Sequence, residues 1–181
     1  HEAQDWRLYV SLDDSLGEKD KGTRHLEAVE YHHDHTKSQG KKRPYYTNGT
    51  VHIEVRLQLG GRAYAYDWRL YLREKTVRCL NRHRAPEQRL RFRKKTSLAR
   101  DMLAGLQQLL PAGFQVYVLF DSWYASNGIL KFCRRQGWHV ICAIKSNRKL
   151  DDKKLSQWPQ ALRHQRYQRV QLSATDQRLR T

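Results

Sequence analysis

Residues 50–59 show the clearest pattern in the chain, because valine, isoleucine or leucine fills every second position. This period of two is typical of a strand with one buried face. Gly60 and Gly61 follow as a turn dipeptide that readily takes positive φ, and residues 63–72 return as a second arm. The pattern therefore predicts a β-hairpin.

Two mostly apolar runs lack this alternation. Residues 116–120 form an uninterrupted run, which predicts a strand buried on both faces, and residues 6–12 form a similar one. The first run in the chain ends in Asp13 and Asp14, and the later run ends in Asp121. Each predicted strand therefore carries an acid at its carboxyl end, where catalytic groups gather in open α/β sheets.

Leucine and methionine recur at helical spacing over residues 98–110, and Thr96 or Ser97 is the predicted N-cap. Residues 122–137 have helical character and lead into another apolar run over residues 139–144, which predicts a further strand. An alternative for Asp121 is that it only caps the helix that follows it.

Two basic stretches without a clear period connect these elements. We interpret residues 73–95 as a surface loop and residues 22–46 as a long connection with a short strand near residues 28–31. The stretch over residues 22–46 is rich in histidine, with His25, His32, His33 and His35. Structural zinc usually needs four ligands, commonly with thiolates, and no cysteine is near in the sequence. We expect a polar segment near an active site or a nucleic acid.

The order of elements is strand, hairpin, helix, strand, helix, strand. This order indicates an α/β protein with a ribonuclease H-like mixed sheet, in which a three-strand antiparallel meander is followed by parallel strands and helices flank the sheet. In that arrangement the first strand lies parallel to the 116–120 strand. Asp13 and Asp121 would then meet at one edge, and such a carboxylate pair suits a hard divalent cation. We place this core in residues 1–147, and a basic connection with the start of a β insertion in residues 148–181.

The charge balance points to a polyanionic partner. The 181 residues include 35 lysines and arginines against 18 acidic residues, which gives a formal net charge of +17. Nucleic acid is the leading candidate for this partner. The alternative interpretation is that the chain is merely a basic soluble protein, such as a ribosomal one. Three cysteines without CxxC spacing indicate reduced thiols in an intracellular protein, and no apolar stretch has the length of a membrane span. Paired carboxylates in such a protein suit phosphodiester cleavage or transfer with two Mg²⁺ ions.

Two blocks carry a family resemblance. LYVSLDDSLGEKDKG around Asp13 and VYVLFDSWYAS around Asp121 resemble the first two acidic blocks of DDE transposases of bacterial insertion sequences. The resemblance implies a domain that nicks transposon ends and joins them to target DNA with Mg²⁺ or Mn²⁺, as a homodimer in a synaptic complex. It also implies a place in the bacterial cytoplasm at the nucleoid, with no membrane partner. Family spacing selects Asp13 as the metal ligand, with Asp14 as the fallback.

The family's third acid is a glutamate on a later helix, and no matching motif is found here. We expect it beyond Thr181, so that these residues alone are inactive. Two other functions stay open: a ribonuclease H-like nuclease or resolvase, and a DNA-binding remnant of a decayed transposase.

Several residues are candidates for contacts with DNA. Trp123 and Tyr124 could stack on a flipped or frayed base, or instead pack the helix against the sheet. Lys145 and Asn147 follow the last strand and could contact phosphate. The remaining candidates for backbone contacts are basic: Arg91, Arg93, Lys94, Lys95, Arg134, Arg135, Arg148 and Lys149.

Overall fold

The computed structural model describes residues 6–23, 25–150, 152–158, 169–170 and 179–180. The chain divides into two compact units, His1–Ala143 and Ile144–Thr181. None of the helices in these described ranges combines the length and the apolar character that a membrane crossing requires.

The first unit contains a mixed sheet of six strands. Its order is β2-β3-β1-β5-β6, and β4 also pairs with β3. The strands are β1 (Arg7–Glu18), β2 (Glu30–His33), β3 (Tyr46–Leu59), β4 (Arg62–Tyr71), β5 (Gln115–Phe120) and β6 (His139–Cys142). Strands β1, β3 and β4 form the antiparallel meander, and β1, β5 and β6 run parallel to one another. This confirms the predicted ribonuclease H-like mixed sheet.

Helices cover one face of the sheet, so the apolar strands have one buried face rather than two. Helix α3 (Lys95–Leu109) contributes Met102 and Leu103 to the same core as Val10 of β1 and Val118 of β5. In β5 the buried residues alternate with exposed or half-buried ones. The prediction that residues 116–120 are buried on both faces is therefore wrong, because the side chains between the core positions point to the other face.

Two helices begin at residues other than those that the sequence predicted. Helix α4 (Asn127–Arg135) is capped by Ser126, whose side chain accepts from the Ile129 N–H. Lys94, and neither Thr96 nor Ser97, is the N-cap of α3, and its side chain makes no capping hydrogen bond. A four-residue helix α1 (His35–Ser38) also forms.

Residues 73–95 are more ordered than the predicted loop. They contain helix α2 (Glu74–Leu80) and two 3₁₀ turns, Asn81–His83 and Pro86–Gln88. Val77 of α2 is buried. One buried position is too weak a period to identify a helix from sequence.

Two short antiparallel ribbons form in the second unit. They pair β7 (Lys149–Leu150) with β8 (Lys153–Lys154), and β9 (Arg169–Val170) with β10 (Leu179–Arg180). The rest of residues 159–181 lies outside the described residues.

Gly49 is required where β1 and β3 approach closely. A Cβ atom built at Gly49 would lie 2.4 Å from the Gly17 carbonyl oxygen, whereas one built at Gly128 in α4 meets no atom within 4 Å. We expect Gly49→Ala to lower the free energy of unfolding by about 1–3 kcal/mol, because backbone must move. Gly128→Ala is the matched control and should raise it by up to about 1 kcal/mol. Urea unfolding measures both, and equal effects would contradict the clash.

Candidate metal and DNA site

Asp13 lies within β1 rather than at its end. Parallel pairing of β1 with β5 stops at Leu12 and Phe120, but antiparallel pairing with β3 continues as far as Glu18. The sequence prediction that the strand ends before Asp13 is therefore wrong, because a partner distant in sequence extends it. Asp13 is exposed and Leu12 is buried, which places Asp13 on the face opposite the helices.

Asp121 follows the last paired residue of β5 and begins a tight loop. Its Oδ1 accepts from the backbone N–H groups of Trp123, at 2.9 Å, and Tyr124, at 3.3 Å. The helix itself is capped by Ser126, so Asp121 stabilises the loop before α4 rather than the helix terminus. These bonds hold the Asp121 carboxylate in one orientation.

Asp13 and Asp121 lie at the same point of the sheet. Each one directly follows a member of the pair Leu12 and Phe120, which are register partners on the two parallel strands. Both acids line one open depression, together with Ser11, Leu12, Leu119, Phe120, Ile141, Cys142 and Ala143. The strand topology thus brings together the two acids that sequence analysis singled out.

The two carboxylates offer oxygen donors suited to Mg²⁺ or Mn²⁺. Oδ1 of Asp13 accepts from the Asp14 N–H at 2.8 Å, and Oδ1 of Asp121 makes the two loop bonds. Mg²⁺ is commonly held by one or two carboxylates together with water and substrate phosphate, so the pair fits such an ion. Among the described residues, no three His, Cys, Asp or Glu side chains form a group that could hold a metal by themselves.

Both carboxylate oxygens of Asp14 are hydrogen-bonded to other side chains. Its Oδ1 accepts from the Tyr124 hydroxyl at 2.9 Å, and its Oδ2 accepts from Lys95 Nζ at 2.6 Å. The side chains of Asp14 and Lys95 are each 20% exposed. Asp13 lines the depression beside Asp121, whereas the fallback Asp14 is not among its lining residues.

Trp123 and Tyr124 are adjacent but differ sharply in exposure. Trp123 is 56% exposed, whereas Tyr124 is fully buried at 0%. The expectation that Tyr124 stacks on a base is corrected, because its ring packs in the core and its hydroxyl binds Asp14. Burial raises the pKa of the Tyr124 phenol, and the Asp14 carboxylate raises it further, so the hydroxyl keeps its proton and donates.

Glu54 lies beside Asp13 and was missed from sequence. The two residues are partners in the antiparallel register of β1 and β3, so their side chains share a face. Glu54 Oε1 accepts from the Ser15 hydroxyl at 2.6 Å. The alternation of the hairpin placed Glu54 on the polar face, but only the β1–β3 register shows its neighbour.

The basic candidates of the first unit differ in how far they are exposed. Arg93 forms an ion pair with Asp101, and Lys95 bonds Asp14, which leaves Lys95 poorly placed for phosphate. The exposed candidates are Arg91, Lys94, Arg134 and Arg135. Arg134 and Arg135 occupy the last turn of α4, where cations are favourable to the helix dipole.

The remaining candidates, Lys145, Asn147, Arg148 and Lys149, belong to the second unit and are exposed. The Arg148 carbonyl accepts from the Leu155 N–H at 2.8 Å, which closes the ribbon of β7 and β8.

Comparison with known proteins adds a family. No curated protein matches the chain. A cryo-EM structure of the piggyBac transposase synaptic complex with hairpin DNA is similar over 87% of this chain and 26% of that chain, with 15% sequence identity and a TM-score of 0.44. The family model described as DDE superfamily endonuclease matches residues 2–177. That match covers nearly the whole sequence, and the chain therefore belongs to the DDE superfamily endonucleases.

Proposed function

We propose that the first unit is the catalytic domain of a DNA transposase, of the kind carried by bacterial insertion sequences. It would cleave transposon ends and join them to target DNA, with two copies in the synaptic complex. One observation carries the proposal: Asp13 and Asp121 flank a single depression at the point where the pairing of β1 and β5 stops. Membership of a family of endonucleases agrees with this chemistry.

Asp13 and Asp121 would hold a divalent cation between them, each through a carboxylate oxygen. When bound, Mg²⁺ or Mn²⁺ would activate the attacking oxygen and stabilise the leaving oxygen of the phosphodiester. The loop bonds to Oδ1 of Asp121 orient that carboxylate in advance, so less ordering is needed when the ion binds. A complete site is proposed to need a third carboxylate, for which residues 1–181 contain no matching motif.

A nucleic-acid-binding domain without catalysis is the second candidate. The two hydrogen bonds that Asp121 accepts from its own loop favour this candidate, because they explain an acid at this position without any metal. The two functions differ in whether the charge of Asp121 is needed as well as its acceptor oxygen.

The function is tested with the protein that the complete reading frame encodes. This protein is incubated with a plasmid that carries the DNA flanking the reading frame. We expect nicks at the element ends that depend on Mg²⁺ or Mn²⁺, followed by joining of the 3′-hydroxyl ends to a target. Nicking without joining would identify a nuclease or resolvase. Binding without any cleavage would support the non-catalytic candidate.

DNA binding is expected to weaken steeply with salt. Each DNA phosphate that a lysine or arginine neutralises releases a counterion from the DNA, and a chain with a formal charge of +17 has many such cations. With about six contacts, affinity should fall roughly 10³-fold between about 50 and 200 mM salt, as measured by fluorescence anisotropy. Arg135→Gln should reduce the salt slope by about 1. The matched control is Arg78→Gln, because Arg78 forms an ion pair with Glu74 and both residues lie on helix α2. A flat salt response would contradict a basic DNA surface.

A further inference from the structure

Asp14 connects three parts of the fold around the proposed metal site. It follows Asp13 on β1 but lies on the helix side of the sheet, where it accepts from Lys95 at the first position of α3 and from Tyr124 in the loop after β5. Hydrogen bonds to an ionised group are about twice as strong as those between neutral groups. Asp14 therefore anchors β1 to both segments at once.

Backbone pairing alone does not fix Asp13 relative to Asp121. The register of β1 and β5 ends at Leu12 and Phe120, one residue before each acid. Beyond that point, the Tyr124 hydroxyl spans the gap with its 2.9 Å bond to Asp14. Tyr124 is also bound through its backbone N–H to Asp121 Oδ1. A continuous path of contacts thus runs from Asp121 through Tyr124 to the residue next to Asp13.

We propose that Lys95, Asp14 and Tyr124 form a tether that sets the spacing of the Asp13 and Asp121 carboxylates for a divalent cation. These three are positioning residues, because they act through Asp13 and Asp121. The inference rests on the proposed function, since it assumes that the two acids share an ion. The tether explains why Asp14, the neighbour of the proposed ligand Asp13, accepts hydrogen bonds from both Lys95 and Tyr124.

Tyr124→Phe removes the hydroxyl and keeps the buried ring. We expect Mn²⁺ affinity, measured by isothermal titration calorimetry, to fall roughly 10-fold, as for other groups that orient metal ligands. The Mn²⁺ concentration for half-maximal cleavage should rise by a similar factor, and the maximal rate should return at saturating Mn²⁺. Tyr117→Phe is the matched control, because Tyr117 lies on β5 and stacks with Tyr9 and His139 away from Asp14. It should leave Mn²⁺ affinity unchanged.

The outcomes separate the tether from the proposed function. These measurements use the protein encoded by the complete reading frame. Its failure to bind Mn²⁺, or equal binding by its Asp121→Asn variant, would end the proposed function. Loss of binding in Asp121→Asn with unchanged affinity in Tyr124→Phe would end the tether alone. A lower Tm in Tyr124→Phe with unchanged Mn²⁺ affinity would show a merely structural bond and would also end it. Should Tyr124→Phe fail to fold, Lys95→Met decides, because it removes the other arm and must weaken Mn²⁺ binding several-fold.

Discussion

Asp121→Asn is expected to lower metal-dependent cleavage roughly 10³-fold, which corresponds to about 4 kcal/mol of transition-state stabilisation. Asparagine keeps an oxygen that can accept from the Trp123 and Tyr124 N–H groups, so the loop should stay in place. Only the charge and one oxygen ligand are lost. We therefore expect unchanged Tm and unchanged DNA affinity beside the loss of cleavage.

Asp67→Asn is the matched control for this substitution. Asp67 lies on β4 and pairs with Arg69 at 3.1 Å, and it does not line the depression. Cleavage by this variant should stay within about twofold of the original rate, because Asp67 lies outside the depression and the loss of such a surface pair lowers stability by at most about 1 kcal/mol. Full cleavage by Asp121→Asn would show that another residue holds the metal. Loss of Tm together with cleavage would instead support the loop-stabilising role.

Leu103→Ala is expected to produce the largest loss of stability. Leu103 on α3 is 0% exposed and belongs to the core beneath β1, β3 and β5. Removing its buried methyl groups leaves a cavity, so the free energy of unfolding should fall by about 2–5 kcal/mol. Guanidinium unfolding followed by circular dichroism measures the change.

Leu109→Ala on the same helix provides the comparison. Leu109 is 70% exposed, so its truncation should change the free energy of unfolding by less than about 0.5 kcal/mol. Similar losses for the two variants would contradict the packing of α3 on the sheet through Leu103.

Local patterns predicted the hairpin correctly because a hairpin depends on neighbouring residues. Alternation over residues 50–59 fixed the buried face of β3, and Gly60 and Gly61 do adopt positive φ, at 54° and 78°. The parallel pairing that places Asp13 beside Asp121 followed from the order of elements. These features need no knowledge of contacts between distant side chains.

Other features depend on long-range register and could not be predicted. Strand β1 continues past Asp13 only because β3 extends to Gly49 as its partner. Glu54 becomes a neighbour of Asp13 through the same register. The contact of Tyr124 with Asp14 joins residues 110 positions apart, and nothing in the local sequence distinguishes that buried tyrosine from exposed Trp123.

The most direct test is a crystal of the protein soaked in Mn²⁺ and measured for anomalous scattering. We predict a peak in the depression, with one oxygen of Asp13 and one of Asp121 each about 2.1 Å from the ion, the distance expected for a small octahedral cation. The peak should disappear in Asp121→Asn. Mn²⁺ bound elsewhere, or no Mn²⁺ near either acid, would contradict the shared metal site.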